Sequence, residues 1–174
     1  MSRALVVYES MYGNTEAVAR AIAEGLATRL AVDVVEVGAA PPAPGEDVAL
    51  LVVGGPTHAF GMSRPSTRAE AAARAGRPLV SRGDGVREWL EDLPARPGLR
   101  AAAFDTRADR PRVPGSAARA IRRRLRRSAA RVDGPHSFYV SGTEGPLVDG
   151  ELARASDWGV LLAGAVAVPA GGPA

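Results

Sequence analysis

Cysteine is absent from this 174-residue chain, and so is lysine: the 22 lysine-plus-arginine positions are all arginine. Without cysteine there are no disulfides, no thiolate catalysis, no cysteine-ligated iron–sulfur cluster and no cysteine-type zinc site. Without lysine the P-loop chemistry of nucleotide hydrolysis is unavailable, and Gly-x-x-x-x-Gly-Lys-Ser/Thr does not occur. Two histidines, His58 and His136, are too few for a histidine-rich metal site. No apolar run approaches the roughly 18 residues of a membrane span. A strand pattern that begins near the amino terminus leaves no room for a signal peptide, so the expectation is a soluble cytoplasmic protein with no membrane partner. Aromatic residues make up only 5% and do not interleave with the arginines, which argues against nucleic acid as a partner.

The abundance of alanine, glycine, proline and arginine points to GC-rich coding, so part of the high isoelectric point reflects arginine standing in for lysine. The placement of the charge is still uneven. Between Arg96 and Arg131 twelve arginines face two acids, Asp105 and Asp109; that segment carries +10 of a net +3, leaving −7 for the rest. Arg119, Arg122, Arg123, Arg124, Arg126 and Arg127 alternate at helical spacing with an apolar stripe of Ala117, Ala118, Ile121, Leu125 and Ala129. A solvated face is the plain reading of those arginines, and an acidic protein partner is the alternative.

Apolar runs alternate with helical patterns, the mark of repeated βα units around a parallel sheet. The patterns predict strands near 3–9, 32–37, 48–54, 100–105 and 136–141, with helices near 14–30, 66–75, 84–93, 116–131 and 150–167. The strand at 32–37 has the weaker alternation of a sheet edge. Pro41, Pro42 and Pro44 form a stiff linker, and Gly76 to Gly85 separates two short helices. Trp89 and Trp158 fall on helix patterns as core or core-rim residues. One domain is expected over 1–168, followed by a disordered tail at 169–174. In a doubly wound sheet ligands gather beyond the carboxyl ends of the strands. The rim loops are then 10–15, 55–65 and 106–115, with 142–149 further toward the edge.

The stretch Ala4 to Tyr8 breaks into Ser10-Met11-Tyr12-Gly13-Asn14-Thr15 and then into a helix with Val18, Ala21, Ile22, Gly25 and Leu26 on one face. The first amides of a helix have no internal partner and sit at the positive end of its dipole, so this turn suits an anion. Ser10 and Thr15 add hydroxyls, and Gly13 permits close approach of the backbone. The plain alternative is an ordinary helix start capped by Asn14 or Gly13, with Glu16 in its first turn. Other nucleotide readings fail on residues. No Gly-x-Gly-x-x-Gly follows the first strand, and Gly54 and Gly55 occupy the place where a phosphoacceptor receiver needs an aspartate.

This first loop resembles the Ser/Thr-x-Ser/Thr-Gly-x-Thr phosphate loop of flavodoxins. About 40 residues on, Gly54-Gly55-Pro56-Thr57-His58-Ala59-Phe60-Gly61 is similar to the Gly-x-Pro-Thr-x-x-x-Gly loop that lies against the flavin ring in that family. The resemblance covers nearly the whole chain. It implies a three-layer doubly wound sandwich around a five-stranded parallel sheet of order 2-1-3-4-5, and a bound flavin mononucleotide (FMN). Ser10, Met11, Tyr12, Gly13, Asn14 and Thr15 would surround the phosphate, while Pro56, Thr57, His58, Ala59, Phe60 and Gly61 would follow the ring. The peptide between Ala59 and Phe60 would offer a backbone group to flavin N5 in one redox state. At the end of the fourth strand Thr106 could bond the pyrimidine edge, Arg107 could stabilise negative charge on a reduced flavin, and Asp105 stands beside them. An ordinary strand-exit turn with a local Asp–Arg pair is the alternative there.

Two departures stand out. His58 replaces the tryptophan many flavodoxins carry after Pro-Thr, and no aromatic follows Phe104-Asp105-Thr106-Arg107. Each missing stacked ring costs about 0.5–1.5 kcal/mol of flavin affinity beyond its area burial. His58 reads either as a general base or pH-sensitive ring contact or as a solvent-facing rim residue, and Phe60 either stacks on the flavin or plugs the loop. The leading function is electron transfer through bound FMN, with a redox partner protein. The runner-up is an NAD(P)H-dependent FMN oxidoreductase acting on a quinone-like acceptor. A third reading is a non-catalytic flavodoxin-like scaffold that docks an acidic partner through its arginine-rich helix. No catalytic side chain and no metal ligand is assigned.

Overall fold

Residues Ala4 to Tyr8 are apolar on both faces, and only a strand at the centre of a sheet can bury both. In the computed structural model, which describes residues 1–110 and 114–167, they form β1 (Arg3–Tyr8). β1 pairs in parallel with β2 (Ala31–Glu36) on one side and β3 (Val48–Pro56) on the other. β4 (Arg96–Ala108) and β5 (Ala129–Val140) complete a five-stranded parallel sheet in the order β2-β1-β3-β4-β5. The expected 2-1-3-4-5 order is therefore present, with the half-buried β2 at the edge. The tail expected at 169–174 lies outside the described residues, as does 168.

Alternation along β1 decides which helix packs where. Ala4, Val6 and Tyr8 face a core shared with α1 (Asn14–Leu26) and α5 (Glu151–Ala167). Leu5 and Val7 face the opposite core, closed by α3 (Val86–Glu91) and α4 (Ala117–Leu125). α2 (Pro65–Arg74) joins neither. Its Ala71 packs on Met11 and Leu79 in a small third cluster at the carboxyl end of β1, where ligands collect. Trp89 is half-buried at the rim, its Nε1–H donating to Pro41 O at 3.0 Å, whereas Trp158 is buried in the core.

The helix expected over 116–131 stops at Leu125. Ala129 to Arg131, read as helix, begin β5 instead: Arg96 pairs with Ala129, and the Arg96 amide donates to Ser128 O at 2.7 Å. The arginine run keeps helical spacing past the helix end, but cross-strand pairing captures the backbone there. β4 likewise runs to Ala108, so Thr106 and Arg107, read as loop, continue the strand expected to end at Asp105.

β5 and α5 are fastened by a partly buried aromatic and ionic cluster. His136 stacks on Trp158 with ring centroids 4.7 Å apart, and Phe104 and Phe138 meet edge to face at 6.2 Å. Arg154 forms a bidentate pair with Glu151 at 2.6 and 2.9 Å, and its Nη1 lies 2.8 Å from His136 Nε2. A guanidinium can only donate, so Nε2 accepts and His136 is neutral. Burial, then the Arg154 charge, holds its pKa below the ordinary value of 6.5. A depressed histidine pKa means the unfolded chain takes up the proton first, so this stability is present above the ordinary pKa and is lost as pH falls through the folded value. Between about pH 7 and pH 5 the wild type should lose folding stability relative to His136→Gln, measured by urea denaturation. Parallel pH profiles for the two proteins would contradict the arrangement.

Candidate functional site

The turn after β1 ends at Gly13, which caps α1 in the left-handed region at φ 100°. No side chain caps the helix, and no side-chain atom occupies the space a Cβ would enter at Gly13. Ser10 Oγ accepts the Gly13 amide at 3.1 Å, which leaves its own proton to donate elsewhere. Thr15 is buried, and its hydroxyl lies 2.7 Å from that of Thr106 across the sheet. If Thr106 donates to Thr15, Thr15 keeps a proton for a ligand, and the paired hydroxyls polarise one another.

A second helix start on this rim, that of α4, is closed. Ser116 Oγ accepts the Arg119 amide at 3.3 Å at the start of α4, and Asp105 Oδ2 accepts the Ala118 amide at 2.9 Å. Asp105 Oδ2 also receives the hydroxyls of Ser116 at 2.6 Å and Thr57 at 2.9 Å. Asp105 is thus fully buried and serves as the anion of α4, with Oδ1 unpartnered. Thr57 is committed as well, donating to Asp105 and accepting the Ala117 amide at 3.0 Å.

Beyond Thr57 the chain makes a two-residue reversal. His58 and Gly61 exchange backbone hydrogen bonds of 2.8 and 3.0 Å, which places Ala59 and Phe60 at the tip with φ of 39° and 78°. Two positive φ values in a row suit Asn-Gly, and here alanine and phenylalanine bear the strain. The turn is held from outside. Gly115, itself at φ 86°, packs against the Phe60 backbone so closely that a Cβ there would fall 2.1 Å from Phe60 O. His58 Nδ1 meets Thr67 Oγ1 at 3.1 Å. Burial, then the Arg68 charge, keeps the His58 pKa below its usual value, so the ring is neutral at neutral pH.

Beneath this turn runs a buried ionic network. Glu9 is fully buried and accepts from Ser63 Oγ and, at 3.3 Å, from the Val86 amide. Burial pushes its carboxyl pKa up despite these bonds. Arg68 donates to Ser63 Oγ at 2.9 Å and to Glu88 at 3.0 Å, and Arg87 donates to Met62 O and Ser63 O. The end of β1, the loop after β3 and helices α2 and α3 are therefore tied together under the rim.

These elements enclose a cleft of about 450 Å³, within the usual range for small-molecule sites. Ser10, Met11, Tyr12, Asn14, Thr15, Pro56, Thr57, His58, Ala59, Thr106 and Arg107 line it together. Four expected residues do not. Gly13 contributes through its backbone turn, Gly61 closes the reversal, Asp105 turns away to α4, and Phe60 points out with 63% of its surface exposed. Phe60 neither stacks in the cleft nor plugs the core, because the strained turn directs it to solvent. Thr106 lines the wall, but its hydroxyl is engaged by Thr15 rather than held free for a pyrimidine edge. His58 is half-buried in the cleft wall rather than facing solvent, and Tyr12 is a second ring there.

One wall was missed from sequence. Thr67, Glu70, Ala71 and Arg74 present a single face of α2 to the cleft. Their i, i+3, i+4, i+7 spacing was visible, but nothing local said that this helix sits over the rim. Ala108, Arg110, Val140, Gly142 and Thr143 complete the lining. Among the described residues, no group of histidines and acids could hold a metal ion, and no helix is long and apolar enough to cross a membrane.

A family model described as flavodoxin matches residues 6–104. No curated protein matches the sequence. Among solved structures, a flavodoxin from the domain Archaea superposes with a TM-score of 0.64 at 22% identity, covering 94% of this chain and 98% of its own. A flavodoxin of Streptococcus pneumonia TIGR4 gives 0.67 at 18%, covering 94% and 99%. A WrbA-like flavodoxin from Agrobacterium tumefaciens gives 0.55 at 18%, covering 95% and 98%. At these identities the likeness shows the fold. The strained tip gives its own prediction: Phe60→Gly should raise folding stability by about 1 kcal/mol in urea denaturation, since glycine tolerates positive φ. A loss of stability would mean that the turn is not strained.

Proposed function

Because this chain belongs to the flavodoxin family, whose members bind FMN, we propose that it is an FMN protein that passes electrons to a partner protein. The observation that carries the reading is the contrast between two helix starts on one rim. α4 is closed by Ser116 and Asp105, while α1 is left without a side-chain cap and opens into the cleft. A phosphate fits that opening: it brings the negative charge the helix end favours and accepts from the free amides. The residues present fit the group. The backbone from Gly13 to Glu16 and the hydroxyls of Ser10 and Thr15 would hold the phosphate, and the His58–Ala59 segment with Thr106 and Arg107 would face the rest of the nucleotide.

When bound, FMN supplies the electron-carrying ring, and the protein supplies position and field. Arg74, Arg107 and Arg110 line the cleft against a single carboxylate, Glu70, so the wall favours anionic ligands. The short Thr15–Thr106 contact holds the Thr15 hydroxyl in place at the start of α1. The Glu9–Ser63–Arg68 network keeps the loop after β3 in place without occupying the cleft. His58, held neutral, can donate or accept one proton at the cleft wall.

Calorimetric titration with FMN tests this reading. Wild-type protein should bind one equivalent, and Gly13→Asp should bind none, because a carboxylate and a disfavoured φ then stand where the phosphate belongs. Thr106→Val should weaken binding about tenfold and Thr106→Ser should restore it, as expected when the buried Thr15 hydroxyl loses the partner that orients it. Undiminished uptake by Gly13→Asp would overturn the site. Consumption of NAD(P)H with a benzoquinone acceptor would replace the carrier role with the oxidoreductase reading.

A further inference from the structure

We propose that the partner is an acidic protein, and that it docks on a surface made of the exposed Phe60 tip and the arginine ridge of α4. Arg119, Arg123 and Arg126 stand on the exposed side of this segment at i, i+4 and i+7. They form a row about 10 Å long at the rise of an α-helix. Among the described residues none of the three has a carboxylate within ion-pairing reach. Glu91 of α3 is taken by Arg124 at 3.3 Å, and α4 itself contains no acid. Arg119 lies in the first helical turn, where the helix dipole disfavours a cation, and its i+4 neighbour Arg123 repels it. An isolated protein gains nothing from this arrangement. An anionic surface laid along the ridge relieves both terms.

The ridge leads to the cleft. Gly115, just before α4, packs on the Phe60 backbone, so the exposed ring stands at the ridge's rimward end. Arg64, four residues beyond Phe60, is exposed as well. An exposed aromatic ring at the end of a row of guanidinium groups matches the composition of a protein interface centre, where aromatics and arginine dominate. It differs from a membrane-binding helix, because the apolar stripe of α4 (Ala117, Ala118, Ile121 and Leu125) is wholly buried in the core. Polynucleotide recognition would use the charge row but has no use for a single ring at its end. The uneven charge of the chain adds orientation. The stretch from Ser116 to Arg127 carries six arginines and no acid, a local field that steers an acidic protein to this side.

The surface exists whatever fills the cleft; only its use for electron exchange rests on the FMN reading. The test is equilibrium binding of the full-length protein to a plant-type [2Fe–2S] ferredoxin, taken as an acidic one-electron probe, with and without added FMN. Binding should weaken at least tenfold between about 20 and 200 mM salt. Arg119→Glu/Arg123→Glu/Arg126→Glu should weaken it at least tenfold, and lysine at the same three positions should restore it. The lysine protein and a circular dichroism check separate lost docking from lost folding. Phe60→Asn, which suits the turn, should still weaken binding several-fold. No association at low salt, or association indifferent to the three reversals, overturns the proposal. Indifference to Phe60→Asn together with tighter arginine-dependent binding to duplex DNA or anionic vesicles overturns it in favour of a polyanion surface. Failure of FMN uptake with ferredoxin binding intact would remove the redox reading alone.

Discussion

Four backbone amides at the start of a helix need acceptors, and the way each helix of this rim meets that need organises the site. α4 takes a hydroxyl from Ser116 and a carboxylate from Asp105, both supplied by the protein. α1 takes nothing from a side chain. Its turn is built instead to keep the space clear, with a left-handed Gly13, a Ser10 hydroxyl folded back on the Gly13 amide, and a Thr15 hydroxyl backed by Thr106. The sheet order places both helix starts at the same edge, so one accommodates a ligand while the other braces the loops around it.

The bracing has its own logic. A strained reversal at Ala59–Phe60 persists only if its surroundings leave no alternative. Here the surroundings are concrete: Asp105 fixes Thr57, Thr67 meets His58, Gly115 presses on Phe60, and Arg87 holds the carbonyls of Met62 and Ser63. Behind them lies the Glu9–Arg68–Glu88 network, in which Arg68, itself nearly buried, links the fully buried Glu9 to the partly exposed Glu88. A buried ion pair of this kind adds little net stability, but removing one partner leaves an uncompensated charge. Its position under the loop explains how a turn without asparagine or glycine at its tip keeps its shape.

Much of this was legible in the sequence. The parallel βα architecture, the two rim motifs and the uneven charge follow from apolar periodicity, from small residues after strands, and from counting arginines, while the strand order came with the resemblance that those motifs carry. What escaped was tertiary. Asp105 sits at a ligand-rich position, but its partners Thr57, Ser116 and the Ala118 amide are separated from it by 48, 11 and 13 residues. Helical spacing in the arginine run continued past Leu125, so the pairing of Ala129 with Arg96 was invisible locally. Phe60 could be expected to stack or to plug; only the backbone sign at the turn tip sends it outward. The cleft face of α2 had the right spacing, but its place over Met11 depends on the path of the whole segment after β3.

The central claim is that the amides opening α1 hold the terminal phosphate of a mononucleotide. Amide proton and nitrogen shifts, followed residue by residue during titration with FMN and separately with riboflavin, test it most directly. The account predicts large downfield shifts at Asn14, Thr15 and Glu16 with FMN that are absent with riboflavin, which lacks the phosphate. Equal shifts with both ligands, or shifts that leave those three amides unmoved, would contradict it.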